Sequence, residues 1–205
     1  MAISRKPIEM PGKEPRIILA SASPRRADLL KQIGVEFELA PSQIGERPHP
    51  DEAPADYITR IARAKVIAAA RTREAGLVIG ADTVVVLDGR LMGKPEDEAS
   101  AANMLERLSG RWHAVMTGVA LYDIETRREV ADYDKTLVKF AQLSYREIEW
   151  YVSTGEPMDK AGAYGIQGLG GLFVDEIAGN YYNVVGLPIP LVYRLARRLG
   201  YSFVE

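Results

Sequence analysis

The chain has 205 residues, 47% of them hydrophobic and 26% charged, a balance that excludes disorder as a global description. Its 26 lysines and arginines against 28 aspartates and glutamates leave a net charge of -2, without the basic excess that bulk electrostatic binding of a nucleic-acid polymer requires. Cysteine is absent, which excludes disulfides, thiolate metal sites and a cysteine nucleophile and fits a reducing compartment.

No apolar run is long enough to span a bilayer, so no membrane partner is expected and the protein is placed in the cytoplasm. Residues 1–15 are polar, charged and proline-rich, and are expected to form a loose tail ahead of a single α/β domain over residues 16–205. Arg16 to Ala20 reads as a short buried strand. It stops at Ser21-Ala22-Ser23, where Pro24 sits at the first position of a helix with Ser23 as its cap and Gly34 as its end. A second strand is expected over Glu36 to Ala40, followed by the irregular, proline-rich stretch Pro41 to Pro54. Ala55 to Arg73 shows helical spacing of Tyr57, Ile58, Ile61, Ala62 and Val66, closed by Gly76.

Leu77 to Leu87 is a valine-rich strand, and Asp88-Gly89 is a hairpin signal that returns Arg90 to Met92 alongside it. A helix over Asp97 to Leu108 comes next, then two long strands, His113 to Tyr122 and Glu129 to Ala141, joined by the turn Asp123 to Arg127. Ser144 to Glu147 is a capping-box pattern that starts a helix ending before Gly155. The chain then becomes rich in glycine, and Pro188 opens a last helix that buries Leu191, Val192 and Leu195. Helices alternate with strands early and strands adjoin in the middle, which predicts a mixed sheet flanked by helices, in two lobes around a cleft.

Several groups in this frame carry charge or hydrogen-bonding power where a plain fold has little use for it. Ser21-Ala22-Ser23-Pro24-Arg25-Arg26 places two hydroxyls and two guanidiniums at a helix start, which reads either as a phosphate site or as a capped helix with solvated arginines. Cations in a first helical turn oppose the helix dipole, and a bound anion would compensate them. Asp82, in Gly80-Ala81-Asp82-Thr83, lies inside an apolar strand, where its charge needs a partner or a cation. Lys94 in Gly93-Lys94-Pro95 offers a point charge, as does Lys65 near the apolar side of its helix, while Glu46 is the first carboxylate after the second strand; for each of these three a solvated surface role stands beside the functional one. Asp159 to Gly168 combines glycines suited to close backbone approach with Gln167, a donor and acceptor for a base edge. His49 and His113 lack metal-ligand spacing, and His113 reads as packed in its strand.

Ser-Ala-Ser-Pro-Arg-Arg at 21 to 26, Gly-Ala-Asp-Thr at 80 to 83, Gly-Lys-Pro at 93 to 95, Leu-Ser-Gly at 108 to 110, the decapeptide at 159 to 168 and Val-Val-Gly-Leu-Pro at 184 to 188 together resemble the Maf family over nearly all of the chain after residue 15. The resemblance implies a fold like that of the inosine-triphosphate pyrophosphatase superfamily, commonly dimeric. It also implies hydrolysis of nucleoside triphosphates between the α and β phosphates with a divalent cation, magnesium, manganese or cobalt. By the same likeness Asp82 is the catalytic carboxylate and shares the cation with Glu46, and Ser21, Arg25, Arg26, Lys65 and Lys94 face the phosphates. Relatives often carry a second carboxylate before the position of Glu46, where this chain has Gly45. Arg25, Thr83 and Gln167 fall where the family selects the base, and they resemble the branch acting on dTTP and UTP, with 5-methyl-UTP and pseudo-UTP as further substrates. The alternatives are specificity for 7-methyl-GTP and a non-catalytic nucleotide-binding regulator of septum formation.

Overall fold

The computed structural model describes residues 16–42 and 44–203, so the expected tail over residues 1–15 lies outside the described residues. Among the described residues seven strands form one mixed sheet: β1 Ile17–Leu19, β2 Phe37–Leu39, β3 Leu77–Leu87, β4 Arg90–Met92, β5 Trp112–Asp123, β6 Arg128–Phe140 and β7 Val174–Ala178. The strand order is β2-β1-β3-β5-β6-β7, with β4 paired to the far end of β3. β1 runs parallel to β2 and β3, and the other pairings are antiparallel. The helices are α1 Pro24–Gln32, α2 Pro54–Ala70, α3 Glu98–Leu108, α4 Tyr145–Ser153, α5 Tyr181–Val185 and α6 Ile189–Leu199.

Local sequence chemistry accounts for most boundaries. Ser144 and Glu147 form the expected reciprocal capping box at α4, and Asp97 with Ser100 does the same at α3. Ser23 occupies the cap position of α1 as expected, but its side chain makes no capping bond; the hydroxyl used locally is that of Ser21, which accepts from the Ser23 N–H at 3.2 Å. The glycine-rich segment holds three short 3₁₀ turns, Glu156–Asp159, Ala161–Ala163 and Leu169–Phe173, followed by β7 and α5.

Alternation along β3 sends side chains to opposite faces of the sheet. Val78 and Val84 meet α2, which packs Ile58, Ile61, Ala62 and Val66 on that face. On the other face Leu77, Ile79 and Ala81 join α1 and α6, whereas Val85 and Leu87 join α3 and α4. That face therefore carries two separate helical groups, the lobes expected from the sequence, with Thr83 at the division. α2 lies tight on the sheet because a Cβ at Gly118 of β5 would come within 2.5 Å of the Ile58 carbonyl. Gly118 is also the cross-strand partner of Asp82.

β5 pairs with β3 along nearly its whole length, but the two strands on the other edge of β3, β1 and β4, are short. β1 pairs only with Leu77–Ile79 and β4 only with Val85–Leu87, so Gly80 to Val84 form an open stretch of sheet edge. The Leu77 N–H donates to Arg16 O and Ile79 O accepts from the Ala20 N–H, which fixes the alternation so that Ala81 and Thr83 turn their main-chain groups to this open edge.

Candidate active site

A cleft of about 510 Å³ wraps around the open edge of β3. Because it reaches both faces of the strand, Asp82 and Thr83 line it together although their side chains point to opposite sides. Every residue singled out from the sequence lines this one cleft: Ser21, Arg25, Arg26, Glu46, Lys65, Asp82, Thr83, Lys94 and Gln167.

On the α2 side, the close packing over Gly118 brings Lys65 against the strand. Lys65 Nζ lies 2.7 Å from Asp82 Oδ1 and 2.9 Å from Glu46 Oε1, so one ammonium draws the two carboxylates together. Lys65 and Asp82 are buried, while the Glu46 side chain is 47% exposed. Asp82 Oδ2 accepts no hydrogen bond from the described residues. Tyr57, read from the sequence only as part of an apolar helix face, donates its hydroxyl to Glu46 O at 3.1 Å and also lines the cleft. Burial, with smaller contributions from Asp82 and Glu46, pushes its hydroxyl up to about 12.

On the other side, Arg26 is buried at 9% exposure. Its Nε donates to Gly186 O at 2.7 Å, Nη1 to Ser21 Oγ at 3.1 Å and Nη2 to Thr83 Oγ1 at 3.0 Å. All three acceptors are neutral, and among the described residues no carboxylate forms an ion pair with Arg26. Burial lowers its pKa, opposed by the nearby charge of Asp82. A buried guanidinium without an anion is costly, and its fork geometry suits a phosphate. The main-chain N–H groups of the first turn of α1, free of helical partners, face the same way as they do at any helix start.

Thr83 Oγ1 is occupied by the protein: it accepts from Arg26, lies 3.0 Å from Thr117 Oγ1 and 3.4 Å from Gly186 O. Thr117 donates in turn to Asn183 O at 3.1 Å, and Asn183 donates to Val115 O and Thr136 Oγ1. The fully buried Thr117 and Asn183 thus hold Thr83 and Gly186, and through them Arg26. Neither stands out in the sequence, where each is one polar residue in an ordinary element.

Arg25, with its side chain 32% exposed, meets Asp159 at 3.3 Å, and Asp159 also takes Lys160 Nζ at 2.6 Å. Asp159 therefore reaches across the cleft to α1 from the segment that carries Gln167. Lys94 and Gln167 are exposed on the cleft wall and make no hydrogen bond or ion pair with the described residues. His113 is buried in β5 with Nε2 2.8 Å from the Tyr164 hydroxyl, and burial lowers its pKa to about 4, in keeping with a packed histidine. Among the described residues no group of three or more histidine, aspartate or glutamate side chains is arranged to hold a metal ion, and no helix is long and apolar enough to cross a membrane.

By fold and site this is a mixed-sheet α/β protein whose charged cleft opens at a break in strand pairing, the kind of place where α/β proteins take small ligands. Comparison with known proteins narrows the class. The family pattern described as "Maf-like protein" matches residues 16–199, and the chain belongs to the Maf family. It is 52% identical over 185 residues to the "dTTP/UTP pyrophosphatase" of Geobacter sulfurreducens, covering 90% of this chain and 97% of that one. The protein of the same description from Syntrophomonas wolfei is 50% identical over 187 residues, covering 91% and 99%. That from Symbiobacterium thermophilum is 47% identical over 186 residues, covering 91% and 95%. A solved structure of the Staphylococcus aureus Ham1 protein is similar at a TM-score of 0.42 and 19% identity, over 62% of this chain and 72% of that one.

Proposed function

We propose that the chain hydrolyses dTTP and UTP to the nucleoside monophosphate and pyrophosphate. The observation that carries this reading is Arg26, a buried guanidinium with no carboxylate partner among the described residues, facing a cleft that also holds the unpaired Lys94 and a carboxylate, Asp82. The relatives named dTTP/UTP pyrophosphatase supply the substrate class.

In this reading Arg26, Arg25 and Lys94 bind the phosphate chain, with Ser21 holding the Arg26 fork in place. Asp82 accepts the proton of the attacking water through its unbonded Oδ2, while Lys65 keeps the other oxygen fixed. Water oxygen bonds to the α phosphorus, the bond to the α–β bridging oxygen breaks, and the charge that builds on pyrophosphate is met by the guanidiniums and Lys94. Asp82 and Glu46 would hold a divalent cation. Two carboxylates drawn together by Lys65 offer the hard oxygen donors that such an ion takes. Bound there, it would acidify water and neutralise phosphate charge.

Gln167 is the base-reading residue, since its amide is uncommitted and offers a donor and an acceptor to the N3–H and carbonyl edge of uracil or thymine. Thr83 contributes to selection through the placement of Arg26, on which its hydroxyl is spent. Arg25 is held by Asp159 until phosphate takes its place.

The test is a screen of dTTP, UTP, dCTP, dGTP, 7-methyl-GTP, 5-methyl-UTP and pseudo-UTP with magnesium, manganese or cobalt, scoring pyrophosphate and orthophosphate, with a chelator control. Pyrophosphate release from thymine and uracil nucleotides, abolished by the chelator, is expected. Orthophosphate release refutes the α–β cleavage, and release of neither product with any metal, from nucleotides that calorimetry shows to bind, supports the regulatory alternative.

A further inference from the structure

Gln167 sits in the glycine-rich stretch Gly165–Gly170, which ends in the 3₁₀ turn Leu169–Phe173 and pairs with none of the strands described above. Besides Ile166, which packs against the core beneath α1 and α6, a pair of side chains outside the cleft holds the stretch. The Glu156 carboxylate accepts from the Leu169 N–H at 2.9 Å and the Gly170 N–H at 3.1 Å, using one oxygen for each. The Tyr151 hydroxyl donates to Glu156 Oε1 at 2.8 Å and accepts from the Gly165 N–H at 3.2 Å. The two ends of the segment that carries Gln167 are thus tied to one carboxylate–phenol pair.

The fit leaves no slack. A Cβ at Gly168 would collide with both Glu156 carboxylate oxygens, and one at Gly170 would lie 2.5 Å from the Tyr151 hydroxyl. Tyr151 lies on α4, fully buried and packed against Phe173, and Glu156 opens the 3₁₀ turn three residues after α4 ends, so the clamp is fastened to the core through Tyr151. A charged acceptor of main-chain N–H groups binds them about twice as strongly as a neutral one. Although burial works against ionisation, the bonds from Gly170, Leu169 and Tyr151 hold the Glu156 carboxyl below the usual range.

We propose that Glu156 and Tyr151 are positioning residues for base selection: they fix the loop that presents the Gln167 amide, without touching the nucleotide themselves. An amide can turn either its donor or its acceptor to a base edge, so its selectivity depends on the backbone that aims it. The inference rests on the reading of Gln167 as the base-reading residue.

The experiment compares the wild type with Glu156→Gln, Tyr151→Phe, Gln167→Ala and the double variant E156Q/Q167A. It measures kcat and KM for dTTP and dCTP, the thermal midpoint, and hydrogen exchange of the 165–170 amides in the intact protein. Glu156→Gln keeps the size of the side chain but sets an NH₂ group against a main-chain N–H. It is expected to raise the KM for dTTP about tenfold with a much smaller change in kcat, to reduce the preference for dTTP over dCTP at least fivefold, and to speed exchange in 165–170. Tyr151→Phe, the milder change, should move the same quantities in the same direction by less. On the Gln167→Ala background, Glu156→Gln should lower the preference no further. If Gln167→Ala reduces the preference but Glu156→Gln and Tyr151→Phe leave it intact while lowering the thermal midpoint, the pair is only structural and the inference fails. If Gln167→Ala leaves the preference intact, the base-reading role of Gln167 fails, and the selective role of the clamp with it.

Discussion

Replacing Asp82 by Asn separates the chemistry of the cleft from its stability. The Lys65–Asp82 contact at 2.7 Å joins two side chains only 9% and 10% exposed. Removing one member of a buried ion pair generally costs about 3–5 kcal/mol, because a charge is left uncompensated. Here Lys65 retains Glu46 at 2.9 Å, and Glu46 is itself half exposed to solvent, so a loss of about 1–3 kcal/mol is expected, the range for one buried group losing its partner. Activity should fall further, by about 10²- to 10⁴-fold, the contribution of a positioned general base. The double variant Asp82→Asn/Lys65→Met removes the stranded ammonium as well, so it should recover most of the lost stability and none of the lost activity. Urea unfolding and initial rates of pyrophosphate release from dTTP provide the two readouts. A single variant that keeps more than about a tenth of wild-type turnover refutes Asp82 as the proton acceptor, on the scale set for general bases. A double variant as unstable as the single one refutes the stranded-charge argument.

Arg26→Lys keeps the charge but cannot reproduce the fork that binds Gly186 O, Ser21 and Thr83 together; the KM for dTTP should rise about 10-fold or more, and an unchanged KM in steady-state assays would show that Arg26 is only a strut. Gly118→Ala forces a Cβ into the Ile58 backbone, lifts α2 and shifts Lys65, so stability should drop by about 1–3 kcal/mol and turnover with it, whereas Gly45→Ala, with open space around it, should stay within about 0.5 kcal/mol in the same unfolding assay. His113 titrates near 4 in the fold against 6.5 when free, so the unfolded chain takes up its proton first as the pH falls. Its contribution is complete above about pH 6.5 and is lost progressively down to about pH 4, amounting to about 3 kcal/mol at about 1.4 kcal/mol per pH unit. Urea midpoints measured from pH 7 to pH 4 should fall less for His113→Gln than for the wild type, and parallel profiles would count against a buried neutral imidazole.

The elements legible in the sequence are those whose boundaries are local. Leu77–Leu87 and Arg90–Met92 follow from an apolar run and a hairpin dipeptide, and α4 from its capping box. β7 was not legible, because Val-Asp-Glu-Ile-Ala at a sheet edge buries little and its partner, β6, lies more than 30 residues earlier. α5 spans five residues, too few for a helical period, and depends on the Asn180 cap. The site divides in the same way. Asp82, Arg26 and Lys65 stand out because charge in an apolar setting needs an explanation. Thr117, Asn183, Tyr57 and Glu156 do not, because what they do depends on partners brought to them by the fold. Asp159 stood inside a recognised motif, yet its contact with Arg25 spans 134 residues and belongs to the tertiary structure alone.

The open edge of β3 explains why the site lies where it does. A sheet edge normally leaves main-chain donors and acceptors that must be covered or paired. β1 and β4 cover the two ends of β3 and stop, leaving the outward main-chain groups of Ala81 and Thr83 with no strand to take them up, and Ala81 O is met by Lys65 Nζ at 3.4 Å. The same gap parts the two helical groups on one face and lets Tyr57 and Lys65 of α2 line the cleft on the other. A ligand lying across it can reach the carboxylate from one side of the strand and the guanidinium from the other, which two residues adjacent in sequence, Asp82 and Thr83, make possible by pointing in opposite directions. The strand alternation that would bury two neighbours on opposite faces of a closed sheet instead gives both to one cleft, and it does so only where the edge of β3 is left unpaired.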